Sequence, residues 1–456
     1  MSESTSSQPA WHSTFHIVLP DAQGRQILLL PGDGGWTLPF VHIKGGLWVG
    51  DSHKIIAALR ERMGFGFPFT VLRYLHFDLN KTERWDRAVL VLEVHVPQTE
   101  APLDGYWVDR SMLANLPLVQ PEQRQWLQDF LTPSAQNSQA ELRAPWAHPG
   151  WFAEAARWMT HTLQGLGRAP TGDVEQFKNL GISSVLRVPT AAGLVYLKAT
   201  ADLPLFISEG TVMAHLARRF PGQIPRPLAI NAEENWMLLD DFGSDLRSEK
   251  APEADVAGFL RQFGALQAQS AGMVDELLRA GCRDRRLPVL IRQIDELMAH
   301  PLTARHTTPD DLARLRAVAP KLKKHCADLD RYSLPDCLVH GDLHLGNVAR
   351  NGDSYQIFDW SDSCIAHPFV DMIEPYFFYD DTEVQEQLRD AYLSQWTRWE
   401  PMEQLREAWR LAEPLAALHQ AVSYLYILLG QEELVHREMA HGLGDFLKLA
   451  IKAVKE

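Results

Sequence analysis

The segment Val339-His340-Gly341-Asp342-Leu343-His344-Leu345-Gly346-Asn347, with Asp359 following in Ile357-Phe358-Asp359-Trp360, constrains this chain more than any other feature. The Asp-x4-Asn spacing places Asp342 and Asn347 on one tight loop. A short strand pair must then return the chain so that Asp359, twelve residues after Asn347, lies beside them. Side chains of these types suit phosphoryl transfer. An Asp within hydrogen-bond reach of an acceptor hydroxyl orients it and takes its proton. An Asn and a second Asp offer hard oxygens to Mg²⁺, which bridges phosphates and neutralises developing charge. The bland alternative is a loop in which Asp342 merely caps a helix. The fixed residues of HGDxxxGN make that the weaker reading, whereas a lone HxD would mean nothing.

With 456 residues and ~150 residues per domain, the chain has room for about three domains, or two of which one is bilobal. Apolar residues make up 46% and charged residues 22%, enough for a sizeable core and too apolar for disorder. Lys plus Arg total 44 against 58 Asp plus Glu, a formal charge of −14. Such a chain is a poor general binder of nucleic acid or anionic membrane, which need clustered Lys and Arg. Cys282, Cys326, Cys337 and Cys364 lack CxxC spacing, so neither a zinc site nor a disulfide framework is indicated. The polar segment Met1 to Ala10 has no basic and apolar leader pattern. Leu415 to Leu429 is interrupted by His419, Gln420 and Ser423, as in a buried helix. The expectation is a soluble, cytoplasmic protein.

Residues 13 to 130 carry an α+β pattern. Phe15–Leu19 and Gln26–Leu30 flank a turn cluster and predict a hairpin. Ala88–Val96 is a long β-branched strand candidate, and Ser52–Met63 has helical spacing. Thr132–Ala147, rich in Pro, Ser, Ala and Gln, has the composition of a linker. Beyond it come a helix (Trp151–Leu166), strands at Ser184–Val188 and Leu194–Lys198, a helix (Ile207–Phe220) and a strand at Asn235–Leu239. After Gly243 the apolar stripes are helical, at 256–266, 289–298, 312–329 and 385–396. The expected division is a first domain at 1–130, a linker at 131–149, a β-rich lobe at 150–243 and a helical lobe at 244–456.

HGDLHLGN and FDWSDSCIAHPFVDM resemble the paired signatures of the aminoglycoside phosphotransferase and choline kinase-like family, across about 300 residues from near Gly150. The resemblance implies an α+β, bilobal protein-kinase-like fold and an ATP- and Mg²⁺-dependent phosphotransferase acting on a small-molecule hydroxyl. It makes Asp342 the catalytic base or hydroxyl-orienting residue, Asn347 and Asp359 the metal ligands, His340 an architectural residue and Asp371 a structural one. It also calls for a phosphate-contacting Lys with a Glu partner. Lys198 ends an apolar strand and Glu209 follows at a helix start; a first-turn acid favoured by the helix dipole is the plain alternative for Glu209. The nucleotide loop falls on Asn179–Ser184, where Gly181, Ser183 and Ser184 allow close backbone approach to phosphates, or form a plain hairpin turn. Leu239 and Asp240 fall at the adenine-binding hinge. The DFG letters at Asp241-Phe242-Gly243 are a decoy, about a hundred residues before the catalytic loop.

Trp36–Gly46 with Arg60-Glu61 is similar to the approach and box of Nudix hydrolases. The three Glu positions of that box fall on Ser52, Gly64 and Phe65, so Mg²⁺ would find no cage and hydrolysis is not expected. Two further functions compete with the phosphotransferase. A nucleotide-binding pseudokinase is opposed by the intact Lys198, Asp342, Asn347 and Asp359, and a Nudix-type pyrophosphohydrolase by Gly64 and Phe65. Residues 1–130 hold 11 basic and 14 acidic side chains, leaving −11 of the −14 in the remainder. That charge is compatible with steering a cationic acceptor such as an aminoglycoside or aminoalcohol, and equally with solubility.

Overall fold

The computed structural model describes residues 10–96, 104–132, 142–371, 379 and 381–454. They form two compact units, Met1–Leu194 with Glu432–Glu438 and Val195–Gln431 with Met439–Glu456. Most of the linker expected at 132–147 lies outside the described residues.

The first unit begins with a mixed sheet in the order β4-β1-β6-β5 (Phe40–Lys44, His12–Val18, Trp85–Val94, Phe69–Asn80), β1 running parallel to β6. Strand β6 is apolar on both faces. Ala88, Leu90 and Leu92 pack with Ile55 and Leu59 of helix α1 (Ser52–Met63), and Val89 and Val91 with Leu127 and Phe130 of helix α2 (Gln123–Phe130). A period of two thus serves two cores at once. The hairpin expected from 15–30 is reduced to a corner. Both edges of β1 are taken by β4 and β6, and Pro20 has no N–H to extend a ladder. Strand β2 (Gln26–Gly32) therefore leaves for a second sheet with β3 (Gly35–Thr37) and β7 (Tyr106–Asp109). Helix α1 ends at Gly64, whose φ of 67° and N–H bond to the Arg60 carbonyl make a left-handed cap. Phe65 then turns into the core against Phe69. The three box positions therefore hold a buried serine, a capping glycine and a core phenylalanine.

Helix α3 (Trp151–Gly165) and the hairpin β8–β9 (Glu175–Asn179, Ser183–Thr190) complete this unit. The second unit opens with β10 (Gly193–Thr200), which pairs antiparallel with β12 (Trp236–Asp240) and begins just before the boundary; β12 in turn pairs with β11 (Ala229–Asn231). Helix α4 (Glu209–Arg219) follows β10, and the chain after Gly243 is mainly helical, as its stripes predict. The helix read at 415–429 is longer, Met402–Leu429, and passes through Pro414. The buried Leu405, Ala408, Trp409 and Ala412 outweigh the hydrogen bond that proline forfeits. Strand β13 (Arg283–Asp284) runs parallel to the edge of β17 (Cys364–Ala366), which also pairs with β14 (Cys337–Val339). With the hairpin β15–β16 (Val348–Asn351, Ser354–Ile357), the β14–β17 pair grips the two loops that carry the 342, 347 and 359 side chains. Among the described residues no helix is long and apolar enough to cross a membrane.

Candidate active site

The loop that carries Asp342 leaves β14 under tight control. Asp371, 1% exposed, accepts the N–H groups of His340 (2.6 Å) and Gly341 (2.9 Å) and the Gln267 amide (3.2 Å). Burial raises its carboxyl to about 7, against those two backbone bonds. Gly341 has φ +87°, and a Cβ there would lie 2.3 Å from the Asp362 carbonyl oxygen, so only glycine fits. The His340 ring accepts the Asp342 N–H at Nδ1 (3.3 Å), which leaves the proton on Nε2 to bond the Phe358 carbonyl (2.9 Å). His340 thereby clips the Asp342 loop to the segment before Asp359, and its burial lowers its pKa. Both of its ring nitrogens are thus engaged by backbone groups.

Across this clip, Asn347 donates its amide to the Asp342 carbonyl oxygen (3.0 Å), which leaves Oδ1 as its acceptor atom for a cation. The Phe358 N–H bonds the Asn347 carbonyl oxygen (3.0 Å), fixing the spacing between the two segments. Asp359 has φ +66°, a left-handed conformation that costs an aspartate roughly 1–3 kcal/mol and is held by its surroundings.

Lys198, in the second half of β10, spans two carboxylates. Its Nζ lies 2.7 Å from Glu209 Oε2 and 2.6 Å from Asp359 Oδ1. Glu209 is 1% exposed and also accepts the Thr200 hydroxyl (2.9 Å) and the Trp360 N–H (3.1 Å). That set of donors is more than a first-turn acid needs, and the Lys198 ammonium is one of them. Burial would raise Asp359, but Lys198 outweighs it and holds the carboxyl at about 2. Burial and then the negative Asp359 raise Asp342. Two neighbouring carboxylates are thus pushed apart in acidity, one firmly ionised and one with a stronger hold on a proton. Their side chains remain 41% (Asp342) and 40% (Asp359) exposed, open to a ligand.

His344 receives the Gly346 N–H at Nδ1 (3.0 Å), and its Nε2 is 3.7 Å from Asp342 Oδ2. Burial, with the charge of Arg247, lowers it to about 4, so it is neutral at ordinary pH. Arg247 and Asp362 escaped the sequence reading. Arg247 has a guanidinium nitrogen against Gly346 and lowers Asp342, although it belongs to no motif. Asp362 sits three residues after Asp359, and burial with its negative neighbours Asp342 and Asp359 raises it well above the usual carboxylate range.

The structure brings Lys198, Glu209, Asp342, Asn347 and Asp359 into one network. Leu239 is buried and Asp240 ends β12, paired in register with Val195. Gly181, Ser183 and Ser184 lie in the β8–β9 turn of the first unit. There the Gly181 N–H bonds Glu438 (3.2 Å), the Ser183 carbonyl accepts the Leu180 N–H (2.9 Å), and the buried Ser184 hydroxyl bonds the Lys178 carbonyl (3.3 Å).

The sequence profile described as "Phosphotransferase enzyme family" matches residues 184–421, more than half of the chain. The chain belongs to the phosphotransferase enzyme family. It is an enzyme that transfers a phosphoryl group to a hydroxyl of a small molecule. Similar solved structures include a macrolide 2'-phosphotransferase type I, 19% identical, covering 63% of this chain and 96% of that one at a TM-score of 0.45. A choline/ethanolamine kinase family protein from Mesorhizobium loti is 19% identical, over 66% and 98% of the chains, with a TM-score of 0.46. Choline kinase LicA from Streptococcus pneumoniae is 14% identical, over 66% and 98%, at 0.47. A search of curated protein sequences finds no match.

Proposed function

We propose that this phosphotransferase moves the γ-phosphate of ATP, with Mg²⁺, to a hydroxyl of a small molecule. The observation that carries this reading is the Lys198–Glu209–Asp359 network beside Asp342 and Asn347. The residues suit Mg²⁺: Asp359 is ionised, and Asn347 has its amide N–H group tied back so that Oδ1 is left over. Among the described residues no three His, Cys, Asp or Glu side chains are placed to hold a metal. A cation here would take its other ligands from phosphates and water, the habit of Mg²⁺. Bound there, it would neutralise charge on the transferred group.

Lys198, steered by Glu209, is the cation for the α and β phosphates. Asp342 orients the acceptor hydroxyl and accepts its proton; a raised pKa brings a general base closer to the pH at which it works. Leu239 and Asp240 form the adenine hinge, and the Gly181–Ser184 turn covers the nucleotide. The lobes of this reading are 150–243 and 244–456. The acidic balance of the kinase-like part favours a cationic acceptor such as an aminoglycoside or aminoalcohol, and four buried free thiols suit a reducing cytoplasm. Residues 1–130 are a Nudix-like domain without hydrolytic function, a reading supported by Gly64 and Phe65 at carboxylate positions. The test is Mg²⁺-dependent ATP turnover by the full chain against a panel of hydroxylated metabolites and antibiotics. Acceptor-dependent ADP release that disappears in Asp342→Ala supports the reading; no turnover and no ATP binding at millimolar nucleotide overturns it.

A further inference from the structure

The hairpin β8–β9 is built into the N-terminal domain. The buried Gln176 side chain makes a two-way bond with β5, accepting the Val71 N–H (2.9 Å) and donating to the Val71 carbonyl (2.9 Å). Asn179 donates its amide to the same carbonyl (3.0 Å), and its own N–H bonds the Gly50 carbonyl (3.0 Å). His53 of α1 stacks on Phe177 at 4.5 Å, with Nδ1 2.9 Å from the Phe177 carbonyl oxygen. At the turn itself, the Trp146 indole donates to the Leu180 carbonyl (2.6 Å). A carboxylate from far along the chain closes this set. Glu438, 7% exposed, accepts the Gly181 N–H (3.2 Å) and the Tyr74 hydroxyl (3.2 Å) on one oxygen, Oε2, while Oε1 has no hydrogen-bond partner among the described residues.

We infer that Glu438 is a positioning residue for the nucleotide loop: with Tyr74, Gln176 and Asn179 it holds the Gly181 turn on the N-terminal domain, so that this domain sets how well the enzyme binds ATP. The inference rests on the assignment of that turn to the nucleotide. A simple interdomain packing would need apolar contact only. Here the backbone groups at 177, 179, 180 and 181 are each tied by a separate hydrogen bond, which fixes the conformation of a turn and not just its location. Glycine at 181 needs such fixing most, because it has the widest conformational range to lose.

The experiment uses the full chain with Glu438→Ala, Glu438→Gln and Tyr74→Phe. Two quantities are read: amide hydrogen exchange across 179–184, and the Kd of Mg²⁺·ATP by calorimetry. The alanine variant should speed exchange at Gly181 and weaken ATP about tenfold, because the freed turn must then be ordered on binding. The glutamine variant keeps an acceptor oxygen for Gly181 and should stay within about threefold of the unaltered chain, as should Tyr74→Phe. Faster exchange at Gly181 with an unchanged Kd overturns the inference, and so does unchanged exchange. Equal ATP loss in the alanine and glutamine variants with a lowered unfolding midpoint assigns Glu438 a purely structural part and also overturns it. If the unaltered chain binds no ATP, the proposed function fails and this role with it, a result distinct from an unchanged affinity in the variants.

Discussion

Replacing Lys198 by methionine removes the cation between two carboxylates and tests the centre of the site. Breaking a buried ion pair by deleting one partner costs about 3–5 kcal/mol, because the other charge is left uncompensated. The two carboxylates do not share that cost equally. Asp359 is 40% exposed and can recover solvation, as pairs near the surface do for about 1 kcal/mol or less. Glu209 is 1% exposed and cannot, so the loss belongs to Glu209 and should reach about 3 kcal/mol near pH 8. The pH dependence follows from the sign of its shift. Burial already raises Glu209, and Lys198 is the main opposing influence; without Lys198 the folded pKa climbs further. A carboxyl raised on folding stabilises below its unfolded value and loses that contribution as pH rises through the folded one. The deficit of Lys198→Met should therefore be small near about pH 5 and full near about pH 8. ATP should bind roughly 10–100-fold more weakly, as expected on losing a hydrogen bond to a charged group. Denaturant unfolding at both pH values and calorimetry with ATP provide the check. An equal deficit at both pH values, or unaltered ATP affinity, would refute the reasoning.

Further outcomes follow from the same geometry. Asp342→Asn keeps size and one oxygen but removes the charge that takes the proton, so kcat should fall by ~10²–10⁴-fold at saturating ATP and acceptor. His344→Gln should cost less, since a ring held at about 4 is no better a base than its neighbour; near wild-type turnover in Asp342→Asn beside a dead His344→Gln would reverse the roles. Asp359→Ala should weaken Mg²⁺-dependent ATP binding more than Asp342→Ala, and equal losses in a calorimetric titration would contradict the assignment. Gly341→Ala should lower the unfolding midpoint and abolish turnover, because its Cβ would meet the Asp362 backbone at 2.3 Å. Nucleotide-sugar or dinucleotide hydrolysis by full-length Asp342→Ala should be absent; robust turnover on such a panel would restore a hydrolytic N-terminal domain.

What was legible in the sequence is what chemistry forces to be local. Asp342 and Asn347 share a loop because one bonds the backbone of the other, and Asp359 follows one hairpin later because β15–β16 is the shortest way back. Lys198 and Glu209 could be found because a strand end and a helix start lie next to each other in the chain. Asp371 could be named but not explained until its carboxylate was seen under the His340 and Gly341 amides. The contacts between Gln176 and Val71, 105 residues apart, and between Glu438 and Gly181, 257 apart, left no such trace. A glutamine in a strand and a glutamate in a C-terminal helix have the composition of ordinary surface positions, and only burial separates them from it. Arg247 is hidden for the same reason: its approach to Gly346 and its charge beside Asp342 and His344 are encoded by no spacing. The turn at Gly181 shows the consequence. Its single glycine is too little to fix its conformation from within, and Glu438 and Trp146 hold it from segments that local pattern treats as unrelated.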